Sequence, residues 1–215
     1  MTLTAWEISG LDADYWEKHA LDIRIRLAAA GYLGGDWSYS LSKPKVLYDL
    51  PPAMYADSLE ISEVQLKDGD NRVTNCSTMT TSILTSIYPS APWNSQDYGD
   101  LQVFADRLPN DPDSPINAVE RAGVGQRVQS LVPGRWHLVQ GWRTFDPSTP
   151  RYSGHAFLVL ADDNGDIDQL LEATSIDNIG PRYKSISFAA LQDDYDEGLY
   201  LAVLFSNVMA SALVS

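Results

Sequence analysis

A thiol, an imidazole and a carboxylate are the groups with which a protein makes and breaks an acyl–enzyme. This chain has one cysteine, three histidines and many acidic residues from which to assemble them. The cysteine, Cys76, lies in "DGDNRVTNCSTMTTSILTSIY", where turn residues give way to an amphipathic pattern. On a helical period Cys76, Met79, Thr80, Ile83, Leu84 and Ile87 share one face, which predicts a helix packed on a sheet. Asn75 is a good N-cap and sets Cys76 in the first turn. There the unpaired backbone N–H groups and the positive end of the helix dipole favour a thiolate. The same N–H groups can bind a developing oxyanion, so Asn75 and the Cys76 N–H are oxyanion or substrate candidates. A lone cysteine on an apolar helical face is also ordinary core packing, and only a base turns the position into chemistry.

The histidines differ in placement. His19 falls off the apolar stripe of an N-terminal helix and reads as a surface residue. His137, inside "RWHLVQGW", can face either side of its strand. His155 opens the apolar run "GHAFLVLA", and a titratable group at the mouth of a buried strand is where a base is needed. Its partner depends on hairpin register. In "GHAFLVLADDNGDIDQLLEAT", a four-residue loop at 162–165 sets His155 opposite Glu172. A two-residue Asn164-Gly165 turn sets His155 opposite Thr174, with Glu172 its diagonal neighbour on the same face. A three-residue loop would turn Glu172 to the other side. In the first two registers the carboxylate can orient the imidazole and stabilise its charged form. Cys76, His155 and Glu172 are therefore the expected catalytic residues.

Other elements must carry these groups. Residues 12–30 put Trp16, Ala20, Ile23, Leu27 and Ala30 on one helical stripe, and Gly31 reads as its stop. From Gly31 to about Asp70 the chain reads as irregular covering structure with room for one short strand. Helices are expected at about 95–107 and at 114–122, the latter opened by Ser114-Pro115. Strands are expected at 134–142, on both arms of 154–174 and at 199–205. Helices first and strands later predict an α+β fold, with an antiparallel sheet on the Cys76 helix. Trp136, Trp142 and Trp93 are candidates for lining a substrate groove.

Composition narrows the function. A net charge of −14 repels phosphate backbones and anionic lipid, so neither nucleic acid nor membrane is an expected partner. One cysteine permits no internal disulfide. The start "MTLTAWEISGLDADYW" lacks a basic and apolar leader, and "LYLAVLFSNVMASALV" is too short to span a bilayer. The expectation is a protein made in the cytoplasm, with delivery elsewhere left open. Oligomeric state is not readable. There is no H-E-x-x-H or C-x-x-C. "DDNGDID" reads as a hairpin turn because its Gly is misplaced for an EF-hand, and "GVGQRV" does not support a nucleotide site.

"NCSTMTTSIL", "LVPGRWHLVQGW" and "SGHAFLVLADDNGDIDQLLEAT" together resemble the papain-like amidases and peptidases of the NlpC-like and CHAP-type families. The resemblance covers roughly residues 65–205. It implies a papain-like fold with the nucleophile helix packed on a small antiparallel sheet or half-barrel. Residues 65–215 would be the catalytic domain, and residues 1–64 an N-terminal helical extension packed on it. It further implies amide-bond cleavage in a peptide or peptidoglycan-like substrate, with no cofactor. Cys76 would be nucleophile, His155 base and Glu172 the orienting residue, the last a CHAP-like trait. Thr174 stands where CHAP-type enzymes often carry Asn, which makes it a further substrate candidate. The small and aromatic residues that commonly follow an NlpC-like nucleophile are missing. Asp68 and Asp70 occupy a region where some CHAP-type relatives hold calcium. An acyltransferase on the same Cys–His pair, or a binding module that keeps the fold without catalysis, are the competing expectations.

Overall fold

A computed structural model describes residues 13–33, 37–39, 48–49, 65–66, 73–88, 114–144, 152–174, 181–195 and 198–206. The helices are α1 (Ala13–Leu33), α2 (Cys76–Ile87), α3 (Pro115–Arg121) and α4 (Phe188–Asp193). Short strands β1 (Ser38–Tyr39), β2 (Tyr48–Asp49), β3 (Gln65–Leu66) and β4 (Val73–Thr74) form two small pairs, β1 with β4 and β2 with β3. The main strands are β5 (Gly125–Val128), β6 (Trp136–Thr144), β7 (Tyr152–Ala161), β8 (Ile167–Ala173), β9 (Pro181–Lys184) and β10 (Leu199–Leu204). They form one six-stranded antiparallel sheet in the order β5-β10-β6-β7-β8-β9. The chain is thus α+β. None of the described helices is long and apolar enough to cross a membrane.

The sheet is buried on both faces, because its strands alternate two apolar sets. Trp136, Leu138, Leu158, Leu171, Ala173, Ala202 and Leu204 meet the helical layer, where Met79, Ile83, Leu84 and Ile87 of α2 join Leu21, Ile25, Ala28 and Tyr32 of α1. Val139, Phe157, Val159, Leu170 and Leu201 meet Leu191 and Tyr195 on the opposite side.

The α1 stripe differs from the expected one. Leu21, Ile25, Ala28 and Tyr32 are buried, whereas Ala20, Ile23 and Ala30 are only partly so; the side chains of Trp16 and Leu27 lie outside the described residues. The helix runs through Gly31 to Leu33. Its register is set by polar docking as well as by apolar residues. Trp136 Nε1–H donates to Asp22 Oδ1 at 3.0 Å, and Arg26 donates both to Asp22 and, at 2.8 Å, to Gln169 Oε1. A stripe read from apolar residues alone misses that pull.

Helix α3 starts as expected: Ser114 caps Asn117 N–H and Pro115 occupies the first turn. β5, β9 and α4 are additions to the expected elements, each too short to carry a periodicity signal. Among the described residues of 31–70, three two-residue strands stand where one short strand was expected. The helix expected at about 95–107, and Trp93, lie outside the described residues.

Candidate active site

Local rules explain how Cys76 is presented. Asn75 has extended backbone, and its Oδ1 accepts the Thr78 N–H at 2.8 Å, which caps α2 and fixes Cys76 as its first residue. The helix is not the simple amphipath expected from the pattern. Its hydroxyl face, Ser77, Thr78, Thr81, Ser82 and Ser86, is buried along with its apolar face. The cost of burying Ser82 is offset by a back-bond, its Oγ donating to the Thr78 carbonyl at 2.8 Å.

The hairpin brings the base and carboxylate together by a route that neither favoured loop anticipates. β7 and β8 pair Ala161 with Ile167, leaving an odd loop, 162–166, which alone would turn Glu172 to the wrong face. The register then shifts: Leu160 pairs with Gln169, so Asp168 is an extra residue on β8. That bulge restores the parity. Beyond it Val159 pairs with Leu170 and Leu158 with Leu171, and the same register continued sets His155 and Glu172 diagonally on one face. The loop is built as a turn, with Asp162 Oδ1 accepting the N–H groups of Asn164 and Asp166, and Gly165 taking φ +82°. "DDNGDID" is therefore a turn. Among the described residues no group of three His, Cys, Asp or Glu is arranged to hold a metal; Asp68 and Asp70 lie outside them.

The pairing of β7 with β8 ends at Leu158 and Leu171. Beyond that point Thr80 Oγ1 of α2 donates to the Ala156 carbonyl at 3.1 Å, so the helix occupies the β7 edge. Cys76 packs on Ala156 there, and its thiol is in hydrogen-bond contact with the His155 ring. His155 Nε2 meets Glu172 Oε2 at 3.2 Å. Arg182, opposite Glu172 on β9, donates from Nη2 to Glu172 Oε1 at 3.0 Å. The result is a chain of contacts, Cys76–His155–Glu172–Arg182.

The electrostatics follow from burial and pairing. Burial alone would lower the His155 pKa, but the negative Cys76 sulfur and then Glu172 outweigh it and raise it to about 9. Burial would raise Glu172, yet His155 and then Arg182 hold it at about 2. These shifts describe a charged imidazolium held by an ionised carboxylate, and an imidazolium beside the Cys76 sulfur favours its thiolate. Cys76 is 5% exposed and Glu172 7%, while the His155 side chain keeps 16%, so the imidazole is the more open edge of the group. Phe157 and Tyr195 flank the ring, Tyr195 stacked at 9° to it. Gly141 lies opposite His155, where a Cβ would come within 2.5 Å of the Tyr195 ring; glycine is what lets Tyr195 stand there.

Other candidates settle differently. His137 is fully buried, its Nε2 accepts the Val132 N–H at 2.9 Å, and burial lowers its pKa to about 4. It is a neutral residue tying down the Pro133 turn. His19 is exposed. Trp136 and Trp142, each 1% exposed, do not line a groove; Trp136 joins α1 to the sheet and Trp142 packs edge-on to Tyr200. Thr174 is buried beside the site's strand end, at 8% exposure. Thr80, Gly141, Arg182 and Tyr195 join the site without a role legible in the sequence. Only Arg182 left a trace, a basic residue in the short alternating stretch "PRYK" after Glu172.

The Thr80 tie has a measurable consequence. Thr80→Val keeps the side-chain shape but strands the Ala156 carbonyl, and should cost about 1–3 kcal/mol in urea unfolding. Thr80→Ser should recover most of that loss.

Comparison of the chain with protein-family models, curated proteins and solved structures gives no match.

Proposed function

We propose that this chain is a cysteine-dependent hydrolase of papain-like type, cleaving an amide bond in a peptide or peptidoglycan-like substrate. The observation that carries the reading is the contact of the Cys76 thiol, at a helix start, with a His155 ring whose Nε2 is held by Glu172. The Cys76 thiolate attacks the substrate carbonyl carbon. The His155 imidazolium then protonates the leaving amine, and the acyl-enzyme is resolved by water that His155 deprotonates. Glu172 keeps the ring oriented through both steps, and Arg182 holds Glu172. The amide substrate class comes from the resemblance of the "NCSTMTTSIL" helix and the histidine hairpin to NlpC-like and CHAP-type enzymes.

The test is to incubate the protein with peptidoglycan digests and peptide amides and follow products by mass spectrometry. Released amine with a transient acyl mass on Cys76 is expected, and Cys76→Ala should show neither. Replacement of water by an added amine in the product would instead identify an acyltransferase. The 5% exposure of Cys76 favours a second reading, a binding module with an inert thiol. That reading requires no turnover by the parent and undiminished ligand binding by Cys76→Ala.

A further inference from the structure

We propose that Tyr195 is a positioning residue, its buried ring fixing the plane in which the His155 imidazole meets both Cys76 and Glu172. This rests on the Cys76–His155 pairing of the proposed reaction and goes beyond it by naming what keeps the base in line.

An imidazole is poorly fixed by its own torsion, because rotation about its Cβ–Cγ bond has broad wells. The Glu172 contact restrains that rotation weakly. It is made at Nε2, on the far side of the ring and close to the Cβ–Cγ axis. Ring N–H bonds lie in the ring plane, so a hydrogen bond to sulfur is lost when the plane turns. Packing has to hold it.

Tyr195 is placed to do this. It is 5% exposed and lies 9° from parallel to the imidazole, with centroids 6.4 Å apart, an offset stack within the ordinary aromatic range. Phe157 adds a tilted contact at 5.1 Å. The Tyr195 backbone is tied on both sides. Its N–H donates to the Gln192 carbonyl at 3.1 Å, and its carbonyl accepts the Gly198 N–H at 2.9 Å. The sheet is cut away to receive the ring: a Cβ on Gly141, opposite His155 on β6, would meet Tyr195 Cδ1 at 2.5 Å and Cγ at 2.7 Å. Core filling alone calls neither for a ring parallel to the imidazole nor for a glycine in mid-strand, where it weakens the sheet. The charges acting on the imidazole come from Cys76 on α2 and Glu172 on β8, so Tyr195 contributes geometry rather than charge.

The test is the ratio of the iodoacetamide alkylation rate of Cys76 at about pH 6 to that at about pH 9. A base held in line keeps sulfur anionic at both, so the parent ratio should stay above about one tenth. Tyr195→Leu keeps an apolar side chain and removes the flat ring. Its ratio should fall about tenfold below the parent's, because a turning imidazolium leaves the sulfur an ordinary thiol for most of the time. Tyr195→Phe, which keeps the ring, should restore the parent ratio. Loosened packing alone changes access to the sulfur at both pH values together and leaves the ratio where it was. Gly141→Ala drives the ring from its place; it should lower the ratio in the same direction and serves if Tyr195→Leu does not fold. An unchanged ratio in both variants, or a Tyr195→Phe protein that behaves like Tyr195→Leu, overturns the role of the ring. A parent ratio below about one tenth overturns the Cys76–His155 pairing itself, so the two failures are distinguishable.

Discussion

His155→Ala is expected to change the pH profile of Cys76 alkylation from flat to steep. In the parent, a His155 raised to about 9 stays an imidazolium through the neutral range and favours the anion of the sulfur beside it, so the iodoacetamide rate should barely vary across that range. Without the imidazolium, Cys76 becomes a mostly buried thiol, and burial disfavours its anion. An ordinary thiol is only roughly 0.3% ionised at about pH 6, and the rate should then rise about tenfold per pH unit. A more basic thiolate is also a better nucleophile, which returns part of the loss. A deficit on the order of tenfold or more at about pH 6 should remain. A flat profile in His155→Ala would show that the histidine does not control the thiol.

Glu172→Gln should produce the largest loss of stability. The substitution keeps the shape but leaves His155 and Arg182 without the charge they share, and Glu172 is only 7% exposed. Breaking a buried pair by neutralising one partner costs about 3 kcal/mol or more, measurable by urea unfolding at about pH 5 and about pH 7. The pH dependence has a sign that follows from the two shifts. Glu172 has a depressed pKa, so its contribution is present above the ordinary value of 4.5 and is lost as pH falls towards about 2. His155 has a raised pKa, so its contribution is complete below 6.5 and is lost as pH rises through about 9. The parent should lose stability along both limbs, and Glu172→Gln should flatten the acid limb. An unchanged acid limb would mean that Glu172 is not ionised in the folded protein.

The parts of the site that could be read from sequence are those set by near neighbours. Asn75 before an apolar period marks a helix start, "DNGD" marks a turn, and "HAFLVLA" marks a buried strand, because capping, turn geometry and periodicity act over a few residues. The six-stranded order was not legible, since it depends on contacts between β5, β10 and β6 that are far apart in the chain. Trp136 shows the same limit. Its place beside a candidate histidine suggested a groove, but Asp22, 114 residues away, takes its indole N–H.

The residue types for a thiol, base and carboxylate, and the elements that carry them, were determined by the sequence alone. Whether they meet was decided by the tertiary structure. An odd hairpin loop puts Glu172 on the wrong face, and one extra residue, Asp168, puts it back. Thr80 then holds the Cys76 helix against the His155 strand, and Arg182 arrives from β9 to fix the carboxylate. Side-chain direction along a strand reverses at every residue, so a single-residue bulge reverses the outcome, and no local propensity encodes where it falls.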